Sequence, residues 1–154
     1  MTELASQVIA TLQGKTLASA ESCTGGGIGA VLTSVPGSSA VYKGGIISYT
    51  NEIKARLLCV PEQVLLEKGA VSKETAEAMA AGVRAAISAD IAVSVTGLAG
   101  PGGDDFGNPV GTVYIGYCDN NTCCSREFHF VGDREAVRTQ SIREALTLLL
   151  EHNR

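Results

Sequence analysis

Apolar positions along this chain recur with two periods, and the switches between them mark out the elements. Leu4, Val8 and Leu12 fall at helical spacing, predicting a first helix capped by Thr2 and closed by Gly14. Lys15–Ala20 reads as a strand. From about Thr24 the helical period returns through Ile28, Val31, Leu32 and Val35, and Pro36-Gly37 stops it. Val41–Tyr49 is rich in β-branched and aromatic residues and reads as a strand, with Gly44-Gly45 marking a bulge or a close approach. Asn51 is placed to cap a short helix, Glu52–Leu58, with Ile53, Leu57 and Leu58 inward. Pro61 then opens a helix that runs to Lys68 and closes at Gly69. Ser72 caps the clearest amphipathic helix: Ala76, Met79, Ala80, Val83 and Ile87 form one stripe, with Lys73, Glu74, Glu77 and Arg84 largely off it.

The second half carries a different pattern. Ile91–Val95 is a short, continuous apolar run that enters the glycine-rich stretch Thr96–Gly103, and Asp104–Asn108 reads as an exposed, mobile loop. Val110–Cys118 and Cys123–Val131 are strands joined by Asp119-Asn120-Asn121-Thr122, a hairpin signal. Phe128 and Phe130 alternate with Glu127 and His129, so one face of that strand is wet. Asp133 caps a last helix with Val137, Ser141, Ala145 and Leu148 inward. Helices at both ends and in the middle, with strands joined by crossovers and one hairpin, predict an α/β fold. It is a layered α/β/α domain, a mixed β-sheet flanked by helices on both faces. With no internal repeat and no long linker, residues 1–154 are read as one domain.

Composition narrows the function classes. Hydrophobic residues make up 45% of 154, enough for a sizeable core. A formal net charge of -4 argues against a nucleic-acid partner held by a basic face, and the lack of Trp argues against base-stacking platforms. No apolar run is long enough to span a bilayer and the N-terminus lacks a signal-peptide pattern, so no membrane partner and a cytoplasmic location are expected. The five cysteines form no zinc-type pairs, although Cys118 and Cys123 could face each other across the hairpin. With only His129 and His152 to help them, no metal and no cofactor are expected.

Candidate chemistry concentrates at Ala20-Glu21-Ser22-Cys23-Thr24-Gly25-Gly26-Gly27, where a strand turns through three glycines into a helix. Such a turn presents unpaired backbone N–H groups and lets a ligand approach the backbone. Ser22 sits there as a candidate nucleophile, and Cys23 is its rival, because a helix N-terminus stabilises a thiolate. An alternative leaves Ser22 and Thr24 as plain helix caps. The Thr96–Gly103 turn repeats the device, and both turns are strand ends, where ligands gather in layered α/β folds. A serine nucleophile needs a base. His129 on a wet strand face and His152 in the tail are poorly placed. Lys54, among Ile53, Leu57 and Leu58, can serve if burial lowers its pKa, with Tyr49 relaying a proton or holding the amine. The alternative leaves Lys54 a solvated helix residue.

Ala20–Gly26, Tyr49-Thr50-Asn51-Glu52-Ile53-Lys54, Thr96-Gly97-Leu98-Ala99-Gly100-Pro101, Pro109-Val110-Gly111-Thr112-Val113 and Gly132-Asp133-Arg134 together resemble the signatures of the CinA carboxy-terminal domain family, over about Leu4 to Leu150. The resemblance implies a metal-independent nicotinamide-nucleotide amidase that hydrolyses nicotinamide mononucleotide to nicotinate mononucleotide and ammonia. Ser22 would be its nucleophile, Lys54 its base and Tyr49 its assisting hydroxyl. Longer members carry a preceding domain, so the chain looks like the stand-alone form. The expected substrate contacts are Thr24, Gly25, Gly26 and Asn51, then Thr96, Gly97 and Gly100, and Arg134. Which turn holds the oxyanion stays open, and the phosphate falls to the other turn or to Arg134 and Arg138. A small-molecule nucleotide substrate and a homo-oligomer are the expected partners. A nucleotide sensor without catalysis is the competing class, and a thiol amidase using Cys23 a further one. The chain departs from the family pattern at Gly27, which extends the turn, at Cys59 in place of a glycine, and at Asn108 in place of a lysine.

Overall fold

The computed structural model describes residues 1–154. Five strands, β1 (Leu17–Glu21), β2 (Tyr42–Ile47), β3 (Ile91–Gly97), β4 (Thr112–Cys118) and β5 (Cys123–His129), form one mixed sheet in the order β2-β1-β3-β4-β5. β1 runs parallel to both β2 and β3, while β3–β4 and β4–β5 are antiparallel. The C-terminal ends of β1, β2 and β3 therefore share one edge, and the two glycine turns emerge side by side there.

Six helices cover the sheet: α1 (Thr2–Thr11), α2 (Gly27–Thr33), α3 (Asn51–Leu58), α4 (Glu62–Glu67), α5 (Lys73–Ile87) and α6 (Arg134–Asn153). Side-chain alternation splits the core in two. Leu17, Ile91, Val93, Val95, Val113, Ile115 and Tyr117 face α1, α2 and α6. Ala18, Ala20 and Ala92 face the other way, towards Leu58, Val60, Leu65, Met79 and Val83. The small residues on that second face bring α5 close to the sheet, where Ser94 Oγ donates to the carbonyl of Ala76 at 2.6 Å. The expected α/β/α layering is thus present.

Several boundaries differ from the sequence expectation, each for a local reason. Met1, not Thr2, occupies the N-cap position of α1 and makes no side-chain cap. α2 begins at Gly27 rather than near Thr24, because Gly25 (φ 59°) and Gly26 (φ 100°) take left-handed conformations. Thr50, not Asn51, caps α3, its hydroxyl accepting from the N–H of Ile53 at 3.3 Å. Leu57 points outward, and the inward face of α3 is Lys54 and Leu58. Pro61 sits just before α4 rather than inside it. β2, β4 and β5 are shorter than expected, leaving Tyr49, Val110 and Val131 exposed beyond their ends. At Gly44-Gly45 both expected features occur. The register skips Lys43 between the Leu17–Tyr42 and Ala18–Gly44 pairs, and a Cβ on Gly45 would collide with Ser19 and Tyr42. Ser72 and Asp133 cap α5 and α6 through the N–H groups of Thr75 and Ala136.

Candidate active site

Alternation along β1 decides which side of the sheet each residue of the first turn serves. Ala18 and Ala20 face α5, so Ser22 continues on that side, while Glu21 points to the α2 side. Ser22 remains in the ladder, its N–H donating to the carbonyl of Val95 at 3.0 Å. On the neighbouring strand the N–H of Ser48 donates to the carbonyl of Glu21 at 2.7 Å. The chain then turns into α3, whose first turn carries Lys54 back over the strand ends.

Lys54 is only 1% exposed. Its Nζ donates to Ser22 Oγ at 2.8 Å and to the carbonyl of Ser48 at 2.6 Å. No carboxylate pairs with it: the molecule's one ion pair between a lysine or arginine and a carboxylate is Arg126–Glu151. Burial without a counter-charge lowers its pKa from 10.5 to about 8, against a small opposing pull from Cys23. The solvated alternative for Lys54 does not describe this side chain.

Cys23 behaves differently from its sequence reading. Its side chain packs in the apolar core, and burial raises its pKa to about 11 although Lys54 and Arg138 stand near. A thiol held protonated at neutral pH is a poor nucleophile.

The first glycine turn presents fewer free donors than its sequence suggests. Glu21, 2% exposed, turns its carboxylate into the start of α2. Oε1 accepts from the Thr24 hydroxyl (2.6 Å) and from the N–H groups of Gly26 (3.2 Å) and Ile28 (2.9 Å), and Oε2 from the N–H of Gly29 (3.1 Å). The N–H of Gly25 donates to Ser22 O and that of Gly27 to Thr24 O. The helix start already holds an anion, so it repels a second one. Only the amides of Cys23 and Thr24 in this turn donate neither to a backbone carbonyl nor to Glu21. From the other side Arg138 of α6 reaches in, Nε donating to Cys23 O at 3.1 Å and Nη2 to Thr24 O at 3.3 Å.

A cleft of about 560 Å³ opens above these groups. Ser22, Tyr49, Asn51, Lys54, Thr96, Gly97, Gly100 and Arg134 all border it, whereas Thr24, Gly25 and Gly26 lie beneath and do not reach it. Thr96 is buried and donates to the carbonyl of Ala70 at 2.7 Å. Tyr49 is 59% exposed, and its hydroxyl accepts from Arg134 Nη2 at 2.8 Å rather than contacting Lys54 or Ser22. Arg134 also donates through Nη1 to the carbonyl of Gly100 at 2.6 Å, which ties α6 to the second glycine turn. In that turn the N–H of Leu98 is used by Thr112, while those of Ala99 and Gly100 donate to no backbone carbonyl.

The loop after the second turn is exposed, as expected, but cross-tied. Asp104 Oδ1 accepts from the N–H groups of Phe106 and Asn108, and Oδ2 from Asn108 Nδ2, which also donates to Val71 O. Asn108 therefore serves the loop's own shape, while Asp104, Asp105 and Phe106 line the cleft. Gly27 packs against Ile142, and Cys59 closes α3 in a left-handed conformation at φ 56°. The residues that sequence reasoning missed are Glu21 and Ser48. A lone carboxylate ending the apolar strand Leu17–Ala20 could have signalled the first. A main-chain carbonyl gives no signal for the second.

No three His, Cys, Asp or Glu side chains cluster in a way that could hold a metal ion, and no helix is long and apolar enough to cross a membrane. Comparison with known proteins gives the family and the fold. The family model for the CinA C-terminal domain matches residues 1–152. A CinA-like protein of Geobacter sp. (strain M21) is 51% identical over 136 residues, covering 88% of this chain and 33% of that protein. A CinA-like protein of Thermosynechococcus vestitus is 51% identical over 138 residues, again covering 88% and 33%. The chain thus spans about a third of the length of these relatives. Among solved structures, a CinA superfamily protein from Klebsiella pneumoniae superposes with a TM-score of 0.95 at 35% identity, over 97% of this chain and 95% of that one. The competence/damage inducible protein of Agrobacterium tumefaciens gives a TM-score of 0.95 at 39% identity, over 99% and 95%. The chain belongs to the CinA C-terminal domain family.

Proposed function

We propose that this chain is an amidase that hydrolyses nicotinamide mononucleotide to nicotinate mononucleotide and ammonia, with Ser22 as nucleophile and Lys54 as general base. The observation that carries the reading is the 2.8 Å hydrogen bond between Lys54 Nζ and Ser22 Oγ, made by a buried lysine with no carboxylate partner. The substrate class rests on the family signatures in the sequence.

As an ammonium, Lys54 donates to Ser22 and Ser48. Once it loses a proton, its lone pair can accept the Ser22 hydroxyl proton while an N–H keeps its bond to the Ser48 carbonyl. Ser22 Oγ then attacks the carboxamide carbon, and the carbonyl oxygen becomes an oxyanion beside the amide of Cys23, the unengaged donor of the first turn that borders the cleft. Lys54 returns the proton to the departing nitrogen, which leaves as ammonia. Water, deprotonated by the same amine, attacks the acyl group and releases the carboxylate product and Ser22.

Glu21 keeps a phosphate away from the start of α2, so the phosphate belongs at the opposite wall, near Arg134 and the second turn. Arg134 has no carboxylate partner and is steadied by Tyr49 and Gly100. In this reading Tyr49 acts on the substrate-binding arginine. Incubating the protein with nicotinamide mononucleotide and measuring ammonia and nicotinate mononucleotide tests the proposal. Ser22→Ala should lose at least about a thousandfold in rate, and Cys23→Ala should stay close to wild type. Nucleotide binding without ammonia release would assign the site to a sensor instead.

A further inference from the structure

We infer that Arg138 is a positioning residue for the oxyanion site: from outside the cleft, its guanidinium fixes the peptide units whose amides flank the nucleophile. The inference rests on the reading of Ser22 as nucleophile. Arg138 is half-buried on α6, one helical turn beyond Arg134, and does not border the cleft. It makes no ion pair. Its two hydrogen bonds go to consecutive carbonyls, Cys23 O and Thr24 O.

Each carbonyl shares a rigid, planar peptide unit with the next residue's N–H, which points the opposite way. The bond to Cys23 O fixes the peptide unit that carries the N–H of Thr24, a buried residue beneath the cleft. The bond to Thr24 O orients the N–H of Gly25, which closes the turn onto Ser22 O at 3.1 Å and so holds the peptide unit that carries the N–H of Cys23, the residue of this turn that borders the cleft beside Ser22. A charged donor on a carbonyl also polarises its peptide unit and strengthens the N–H at the far end. Glu21 holds the same turn from the α2 side through Thr24 Oγ1 and Gly26 N. Gly25, at φ 59°, lets the chain make this turn beneath the guanidinium. The turn is thus gripped from both sides, and the cleft-side amide of Cys23 has little freedom left.

The consequence lies in the transition state rather than in substrate affinity. Loss of one oxyanion donor costs about 10²–10³ in kcat in a well-studied protease, and loss of a group that only aims the donors should cost about ten- to a hundredfold. The test compares wild type, Arg138→Met, Arg138→Lys and Arg138→Ala in two assays: ammonia release from nicotinamide mononucleotide, and acylation by p-nitrophenyl acetate read as p-nitrophenolate. In acylation, Ser22 Oγ bonds the acetyl carbon, Lys54 takes the serine proton and p-nitrophenolate departs, through an oxyanion in the same place. The expected result is a ten- to hundredfold fall in kcat and in acylation rate, with KM for the nucleotide within about twofold and the pH limb unmoved. Added guanidinium should restore part of the rate to Arg138→Ala. Arg138→Lys serves if the smaller variants unfold, because a point-like ammonium cannot bridge both carbonyls.

Unchanged kcat would overturn the inference. So would a raised KM at constant kcat, which would make Arg138 a substrate contact, or a loss that guanidinium fails to rescue in a folded variant. Wild type that is acylated yet releases no ammonia would refute the amidase reading alone and leave the acylation comparison standing.

Discussion

The ammonium of Lys54 gives up its water on folding and receives two oxygen acceptors in return. Its folded pKa of about 8 lies below the ordinary 10.5. Between those values the unfolded chain binds more protons, so stability rises with pH across that window, and below it the penalty is present in full. Replacing Lys54 by Met removes the penalty. We expect Lys54→Met to be more stable than wild type at pH 7 by on the order of 1–3 kcal/mol, with the gap closing as pH rises from about 8 to about 10.5. Urea unfolding at several pH values checks this, and a Met variant no more stable at pH 7 would refute it. Glu21 is the opposite case, a buried anion with all its neighbours donating. Glu21→Gln places an amide N–H against donors and should cost about 1–3 kcal/mol by the same measurement, and slow turnover as the turn loosens. Ser22 and Lys54 were candidates from the sequence, one at the glycine turn and the other once both histidines were set aside, but spacing alone did not decide for either, and their roles came from the family resemblance. Glu21 was not, since its four donors come from residues whose path only the folded turn defines.

Among the elements, α3 has the most exacting seat, because it carries Lys54 and packs on α5. Gly82 of α5 makes that contact possible: a Cβ there would drive into the carbonyl of Leu58, one turn beyond Lys54. Gly82→Ala gains about 1 kcal/mol in helix propensity but overpacks a backbone contact, at a cost of about 1–3 kcal/mol. The clash dominates, because a main-chain carbonyl cannot rotate aside. We expect net destabilisation and a lower kcat, measured by thermal unfolding and ammonia release. A variant both stabilised and fully active would show that α3 can shift freely. The amphipathic α5 and the Asp133-capped α6 were read with correct caps and with inward residues that are buried or half-buried. α2 and α3 were misjudged at their starts. The left-handed Gly25 and Gly26 delay α2 to Gly27, and Thr50 captures the N–H of Ile53 ahead of Asn51.

At the scale of the molecule, the layered α/β/α architecture followed from alternating strand and helix periods. The strand order did not, because pairing partners are chosen by long-range packing that leaves no local mark. That β1 and β3 are parallel neighbours is what sets the two glycine turns side by side and brings α6, through Arg134 and Arg138, onto both. The site draws on β1, β2, α3, the turn after β3 and α6, and its central link joins residues 32 positions apart. The pH dependence of ammonia release from nicotinamide mononucleotide, for wild type and Lys54→Arg, tests that link most directly. The account predicts a rate that rises roughly tenfold per pH unit to a plateau above a pKa near 8, and no activity at any pH for Lys54→Arg, whose guanidinium stays protonated. A rate independent of pH through that range, or an active Lys54→Arg enzyme, would contradict it.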